Sequence, residues 1–319
     1  MIKGPVETLK IIEIPYDETK PMWKVFFKEE GGAKKAAIES YITRPDGRRE
    51  LDDYKICGVY RTAGVPFDIT QITSTDKKKP HEEQMRSISK LAEEGIREGK
   101  CVVMTGGGCS HAIGMVGGLQ QALGRDKKIG FIWLDAHGDI NTPESTESGL
   151  LGGTPLAVIA GLCHGEAFES WMKAAGIDYP LKHSDIIMSD GRSLDPKEAE
   201  VLKSTEIVYL DTAAFNNVNR WKEVVNSLAD RVDVIYLHID GDILDGRYTP
   251  GQYTAESGGP DVETVMNNIK TVMDTNKVIA FSLVSIFHEN DNPCKDLCTL
   301  NGMRLIGAGF ENWKYCPVI

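Results

Sequence analysis

The 319-residue sequence predicts a three-layer α/β/α fold with a mostly parallel central sheet. Short apolar runs rich in Val, Ile, Leu, Phe and Tyr recur along the chain, and longer stretches with helical periodicity separate them. Alternation of that kind implies parallel strands, because each intervening helix carries the chain back across the sheet, and it lays helices over both faces. The hydrophobic content of 41% suffices for a substantial core at this length. No Pro/Ser/Gly-rich tract, charge block or internal repeat divides the chain, so residues 1–319 are expected to form a single domain.

Taken in order, the expected strands are LKIIEIPY (9–16), YKICGVY (54–60), KCVVMTGGG (100–108), KIGFIWLDAHGD (128–139), DIIMSDGR (185–192), EIVYLD (206–211), DVIYLHIDGD (233–242) and NKVIAFSLVS (276–285). Each is a short, β-branched and aromatic-rich run of strand length. Helical periodicity marks residues 81–99, 195–204, 217–230 and 261–275 between them. The run GGGCSHAIGMVGG (106–118) follows a strand and precedes a helix, but it lacks the Gly-Lys-Ser/Thr ending of a P-loop and the spacing of a dinucleotide fingerprint. It is expected to be a tight strand-to-helix turn that places Cys109 and His111 near a strand end.

Two of these runs end in potential metal ligands. Asp135, His137 and Asp139 lie two apart in FIWLDAHGDIN, and Asp240 and Asp242 are similarly spaced in IYLHIDGDILD. Strand side chains alternate between faces, so residues at i, i+2 and i+4 point the same way and their donors can converge. One Asp-x-Asp is more often a solvated strand end or a helix cap. Two such pairs, each behind an apolar strand and one with a central His, are not accounted for that way. Four carboxylates and an imidazole grouped beside buried strands would repel one another without cations, and this hard donor set suits Mn or Mg, with room for two divalent ions.

The formal net charge of −11 argues against nucleic-acid and anionic-membrane partners, which need an excess of Lys and Arg, and favours a small-molecule substrate. The N-terminal MIKGPVETLKIIEIPYD has charges too closely spaced for a signal-peptide core, and no apolar run reaches membrane-spanning length, so a cytoplasmic protein is expected. The seven cysteines are odd in number and scattered, which indicates reduced thiols. Cys294 and Cys298 have knuckle-like spacing, but no second ligand pair accompanies them.

Three segments, GGGCSHAIG, DAHGDINTPESTESG and IDGDILDGRYTPG, resemble in order and spacing the signature segments of the ureohydrolases, the group of arginases, agmatinases and formiminoglutamases. The resemblance runs from IIEIPYD to the last quarter of the chain and is weakest over the first hundred residues. It implies a binuclear manganese centre, a homotrimer or homohexamer, and hydrolysis of a guanidino, amidino or formimino carbon–nitrogen bond. It also implies that Asp135, His137, Asp139, Asp240 and Asp242 occupy five of the six ligand positions, with Cys109 in place of the sixth, a histidine. A thiolate there would favour Zn, Fe or Co over Mn.

Further departures bear on chemistry. Gly152 stands where arginases carry a proton-shuttling histidine, and Ser285 falls where the family has a glutamate that pairs with the guanidinium. A neutral hydroxyl cannot neutralise a guanidinium, which argues against free arginine. Asn141 and Ser148 match residues that hold the substrate's α-carboxylate, and Asp195 matches one that holds its α-amino group, so an amino-acid-like substrate is implied. Taken alone these three read as turn, loop and helix-cap residues. Asp139 is expected to orient the nucleophile. His238, on the face of Asp240, is a candidate proton carrier, with Asp139, His183 and solvent as other donors, whereas packing is the commoner role for His111. His288 and Glu289 are candidate rim residues. The favoured reading is a hydrolase acting on a formimino, N-hydroxyguanidino or ureido amino acid. A non-catalytic relative that binds an amino-acid-like ligand and one or no metal is the alternative, and thiol chemistry at Cys109 a third.

Overall fold

The computed structural model describes residues 2–5, 9–14, 22–30, 33–42, 67–71, 80–250, 252, 254–286 and 295–317. Its central sheet has eight strands. In chain order these are β2 (Leu9–Ile14), β5 (Phe67–Gln71), β6 (Cys101–Gly106), β7 (Ile129–His137), β8 (Ile186–Ser193), β9 (Val208–Leu210), β10 (Val234–Asp240) and β11 (Val278–Val284), after a short β1 (Ile2–Pro5). They lie side by side as β5-β2-β6-β11-β10-β7-β8-β9, and every neighbouring pair is parallel. Two small antiparallel pairs stand outside the sheet: β3 (Met22–Glu30) with β4 (Ala33–Ile42), and β1 with β12 (Tyr315–Pro317).

Period-two alternation gives each face of the sheet its own core. On one side Phe131, Trp133 and Tyr236 pack with Met85, Ile88, Met115 and Leu119, which belong to helices α1 (Pro80–Arg97) and α2 (Ala112–Leu123). On the other, Ile132, Leu134, Ile235 and Leu237 pack with Trp221, Val225, Val265, Ile269, Leu305 and Ile306 of three more helices, at Val218–Arg231, Val262–Met273 and Lys295–Asn312. The three-layer expectation is therefore met. Glycine is required at close approaches: a Cβ on Gly106, whose φ is +76°, would sit 2.1 Å from the Ile14 carbonyl oxygen, and one on Gly117 would sit 1.8 Å from that of Ala175.

Seven of the eight expected strands and all four expected helices are present, shifted by a few residues at their ends. The expected strand at 54–60 lies outside the described residues, and the outermost strand on that side is Phe67–Gln71. The β3–β4 hairpin and the helices Glu166–Ala175 and Lys295–Asn312 are additions to the expected elements. Among the described residues no helix is long and apolar enough to cross a membrane.

Candidate metal and substrate site

The four middle strands β6, β11, β10 and β7 all point their carboxyl ends the same way, and the segments leaving those ends converge. Ligands bind at that edge in open parallel sheets. Cys109 comes off β6, Asp135, His137 and Asp139 off β7, Asp240 and Asp242 off β10, and Ser285 off β11, and all seven line one cavity of about 440 Å³. Asn141, Ser148, Gly152 and Asp195 line it too.

At the cavity floor the donor atoms of Cys109, Asp135 and Asp240 lie within 4.8 Å of one another, and so do those of Asp135, His137 and Asp242. Asp135 belongs to both groups. The arrangement is held by short contacts: the Cys109 thiol donates to Asp240 Oδ2 (2.8 Å), the Asp242 amide to Asp240 Oδ1 (2.9 Å) and the His137 amide to Asp135 Oδ1 (2.7 Å). His137 Nδ1 lies 3.2 Å from Asp242 and 3.4 Å from Asp135. Asp139 is in the cavity wall but outside both donor groups. Its φ of 48° is a left-handed conformation uncommon for a side-chain-bearing residue, and its carbonyl accepts from the amides of Leu156 and Ala157 at the start of the helix Pro155–Ile159.

The electrostatics follow from crowding in a dry place. Burial, then the charge of Asp242, pushes Asp240 up to about 7; burial, then Asp135, pushes Asp242 up to about 6. Asp135 and Asp139 are raised by burial and by neighbouring carboxylates, and the Cys109 thiol goes well above its ordinary range for the same reasons. Burial alone would lower His137, but hydrogen bonds to Asp135 and Asp242 win and raise it to about 12. One imidazolium thus faces four buried acids and a thiol. The set is short of positive charge, and two divalent cations fit it on that ground.

His238 departs from its expected place. It shares the face of Asp240 but is fully buried and does not line the cavity. Its Nδ1 meets Ser282 Oγ at 2.7 Å, its ring stacks on Trp133 at 4.0 Å, and its Nε2 reaches only the Cys109 sulfur, at 3.5 Å. Burial holds it neutral, with a pKa of about 3. His183 bonds the Ala160 carbonyl and is not a cavity residue either. His111 packs as expected, bonded to Gly108 and to Gln84. His288 and Glu289 lie outside the described residues, as does Cys294, while Cys298 bonds the Pro250 carbonyl.

The outer wall is a polar mesh. Asn141 Nδ2 donates to Asp195 Oδ2 (3.2 Å), which also receives the Glu147 amide, and Ser145 Oγ donates to Asn141 Oδ1 (2.7 Å). Ser148 Oγ accepts from the Leu150 amide. Ser285, with φ 58°, is fixed by its amide to the Gly107 carbonyl, and its hydroxyl opposes the rise of the Asp240 carboxyl. A Cβ added at Gly152 would meet nothing within 4 Å.

Four side chains at or beside the cavity escape a reading of the sequence. Glu198 caps the helix Pro196–Lys203 by accepting the Asp195 amide, takes the Ile140 amide on its other oxygen, and is pushed up to about 7 by burial. Its cue is the Asp-x-x-Glu spacing of a capping box. Arg192 pairs with Asp190 and grips the carbonyls of Asp242, Ile243, Leu244 and Glu256, fixing the loop after Asp242. Glu256 accepts from Ser193 Oγ and comes within 3.8 Å of His137 Nε2. His81, at the start of α1, is buried against Trp171 and His111 and lines the cavity. No local pattern points to the last three.

Comparison with known proteins agrees with this geometry. Residues 37–294 match the model of the Arginase family. The arginase of Coccidioides immitis (strain RS) is 29% identical over 232 residues, which is 70% of this chain and 68% of that relative. The crystal structure of arginase from Bacillus cereus superposes with a TM-score of 0.75 at 20% identity, covering 95% of this chain and 98% of that one. Formimidoylglutamase from Bacillus subtilis subsp. subtilis str. 168 superposes with a TM-score of 0.68 at 15% identity, covering 98% and 88%.

Proposed function

The chain belongs to the arginase family, and on that premise we propose that it is a two-metal hydrolase that cleaves a carbon–nitrogen bond in an amino-acid-like substrate other than free arginine. The observation that carries the reading is the pair of buried donor groups sharing Asp135 at the floor of a ligand-sized cavity. One divalent cation is assigned to Cys109, Asp135 and Asp240 and the other to Asp135, His137 and Asp242, with Asp139 beside them; manganese is the expected metal, and the Cys109 thiol draws the first position toward Zn, Fe or Co. When bound, such a pair supplies a hydroxide nucleophile near neutral pH.

The chain's own residues do the rest. Asp139, turned into the cavity by its left-handed backbone, orients the nucleophile and takes up its proton. Among the described residues, His81 and His137 are the only imidazoles lining the cavity, and His137 is committed to two carboxylates. His81 is therefore assigned as donor of a proton to the leaving nitrogen, a task that the buried His238 is too deep to perform. Asn141 and Ser148 receive the substrate carboxylate and Asp195 its ammonium group. Ser285 presents a hydroxyl where a guanidinium would need an anion, so a formimino, N-hydroxyguanidino or ureido group, each less basic than a guanidino group, is the fitting partner. A cytoplasmic homotrimer or homohexamer completes the proposal.

The test is reconstitution with Mn, Zn or Co and a screen of such amino acids. Turnover is expected on at least one of them and is abolished by Asp139→Asn. His81→Gln should lower kcat by about 10²-fold or more, with partial rescue by Gly152→His in the same chain. No turnover on any compound, together with tight binding of an amino acid, would overturn the hydrolase in favour of a ligand-binding relative.

A further inference from the structure

We propose that Cys101 and Cys316 are the two halves of a reversible disulfide that fastens the ribbon of the chain ends to the central sheet. Their sulfurs lie 2.7 Å apart across 215 residues of sequence, a short move from the bonding distance of about 2.05 Å. Both thiols are buried. Cys109, Cys163 and Cys298 each contact oxygen atoms instead.

Placement favours this pair. Cys101 is the first residue of β6, near the middle of the sheet, where it is in register with Leu9 of β2. Cys316 lies in β12 opposite Gly4 of β1, so it belongs to the two-stranded ribbon that joins the beginning of the described chain to its end. The thiols also meet carbonyls at long range, Cys101 that of Val278 at 3.9 Å and Cys316 that of Gly99 at 3.7 Å. Access comes from the ribbon itself. A two-stranded ribbon is only marginally stable on its own, and its opening gives the reagent a path to Cys316.

The chemistry needs a two-electron oxidant, and a low-molecular-weight disulfide such as oxidised glutathione supplies it. The Cys316 thiolate attacks one sulfur of the reagent, forming a mixed disulfide and releasing one small thiol. The Cys101 thiolate then attacks the Cys316 sulfur and expels the second. Two protein thiols become one disulfide, one reagent disulfide becomes two thiols, and the two protons end on the released thiols. The bond ties down the start of β6, whose far end leads into Cys109.

The experiment titrates the full chain with oxidised glutathione, blocks remaining thiols with iodoacetamide, and maps a non-reducing digest by mass spectrometry. The expected result is a Cys101–Cys316 linked peptide, the loss of two thiols per chain in denaturant, and a rise in Tm on the order of 5–10 °C that dithiothreitol reverses. Cys101→Ser and Cys316→Ser should each abolish the linked peptide and the shift. Glutathione retained on Cys316 without closure, a different linked pair, or an unchanged Tm shift in Cys101→Ser would overturn the proposal.

Discussion

Replacing Asp240 by Asn should stabilise the metal-free protein and destabilise the metal-loaded one. The Asp240 carboxyl is 5% exposed, and its pKa rises from 3.8 to about 7 on folding. A carboxyl raised in the folded state binds more protons there than in the unfolded chain, so its stabilising share is complete below pH ~4 and is lost as the pH climbs through 7. At about 1.36 kcal/mol per pH unit, the interval from 3.8 to about 7 amounts to ~4 kcal/mol of destabilisation at pH 8 without metal. Asn removes that charge. It keeps one carbonyl oxygen for the Asp242 amide and gives up the acceptor of the Cys109 thiol, at a cost of ~1 kcal/mol. The net gain is ~2–3 kcal/mol, or roughly 3–5 °C in Tm for a chain of this length, at pH 8, shrinking toward zero at pH 5.

Metal reverses the sign. A cation held at about 1,000 times its Kd stabilises the parent by ~4.1 kcal/mol, which exceeds the gain from Asn, and most of it is forfeited when Asp240 is lost. His238, kept neutral with a pKa of about 3, drives stability the opposite way between roughly pH 3 and 6.5, but it is common to parent and variant and cancels in the difference. Scanning calorimetry of both proteins at pH 5 and pH 8, with chelator and with saturating Mn, measures all the terms. The reasoning fails if the chelated parent is as stable as the chelated variant at pH 8, or if Mn stabilises both equally.

Two further outcomes are expected. Cys109→His should raise the Mn retained after dialysis toward two per chain and lower the share of Zn, as elemental analysis of both proteins would register; unchanged metal content would remove Cys109 from the ligand set. Gly117→Ala should cost ~1–3 kcal/mol in urea unfolding, since its Cβ would strike the Ala175 carbonyl, whereas Gly152→Ala, which opens into the cavity, should be near neutral.

What the sequence discloses is set by how local each signal is. β7 and β10 are continuous apolar runs buried on both faces, so both their identity and the carboxylates at their ends can be read directly. The β3–β4 hairpin carries a cue, Gly31-Gly32 between two strand-length runs, that is easily lost among the charges of the first hundred residues. His238 shows the limit of period-two reasoning. Sharing a face with Asp240 fixes its direction, but two residues upstream is about 6.6 Å deeper along the strand, beneath Cys109 instead of beside it. His81 and Arg192 carry no cue at all, because their positions depend on how a distant helix and loop dock.

On the proposed reading, Cys109, Gly152 and Ser285, the three positions at which the sequence departs from the family pattern, act in one direction. Cys109, within the first donor set, and Ser285, in the same cavity wall, are a thiol and a hydroxyl, and under the proposed function neither offers a cationic reacting group the counter-charge that a glutamate would. Gly152 leaves open space in the same cavity, which admits more bulk around the reacting carbon. On the opposite wall Asn141 bonds Asp195, and Ser148 lies at the cavity surface, which under the proposed function is where the amino-acid end of the substrate would be held. Under the proposed function, changes confined to the scissile end and an intact α-carbon end would mean a reaction retargeted along the substrate, whereas general loss would loosen both ends alike.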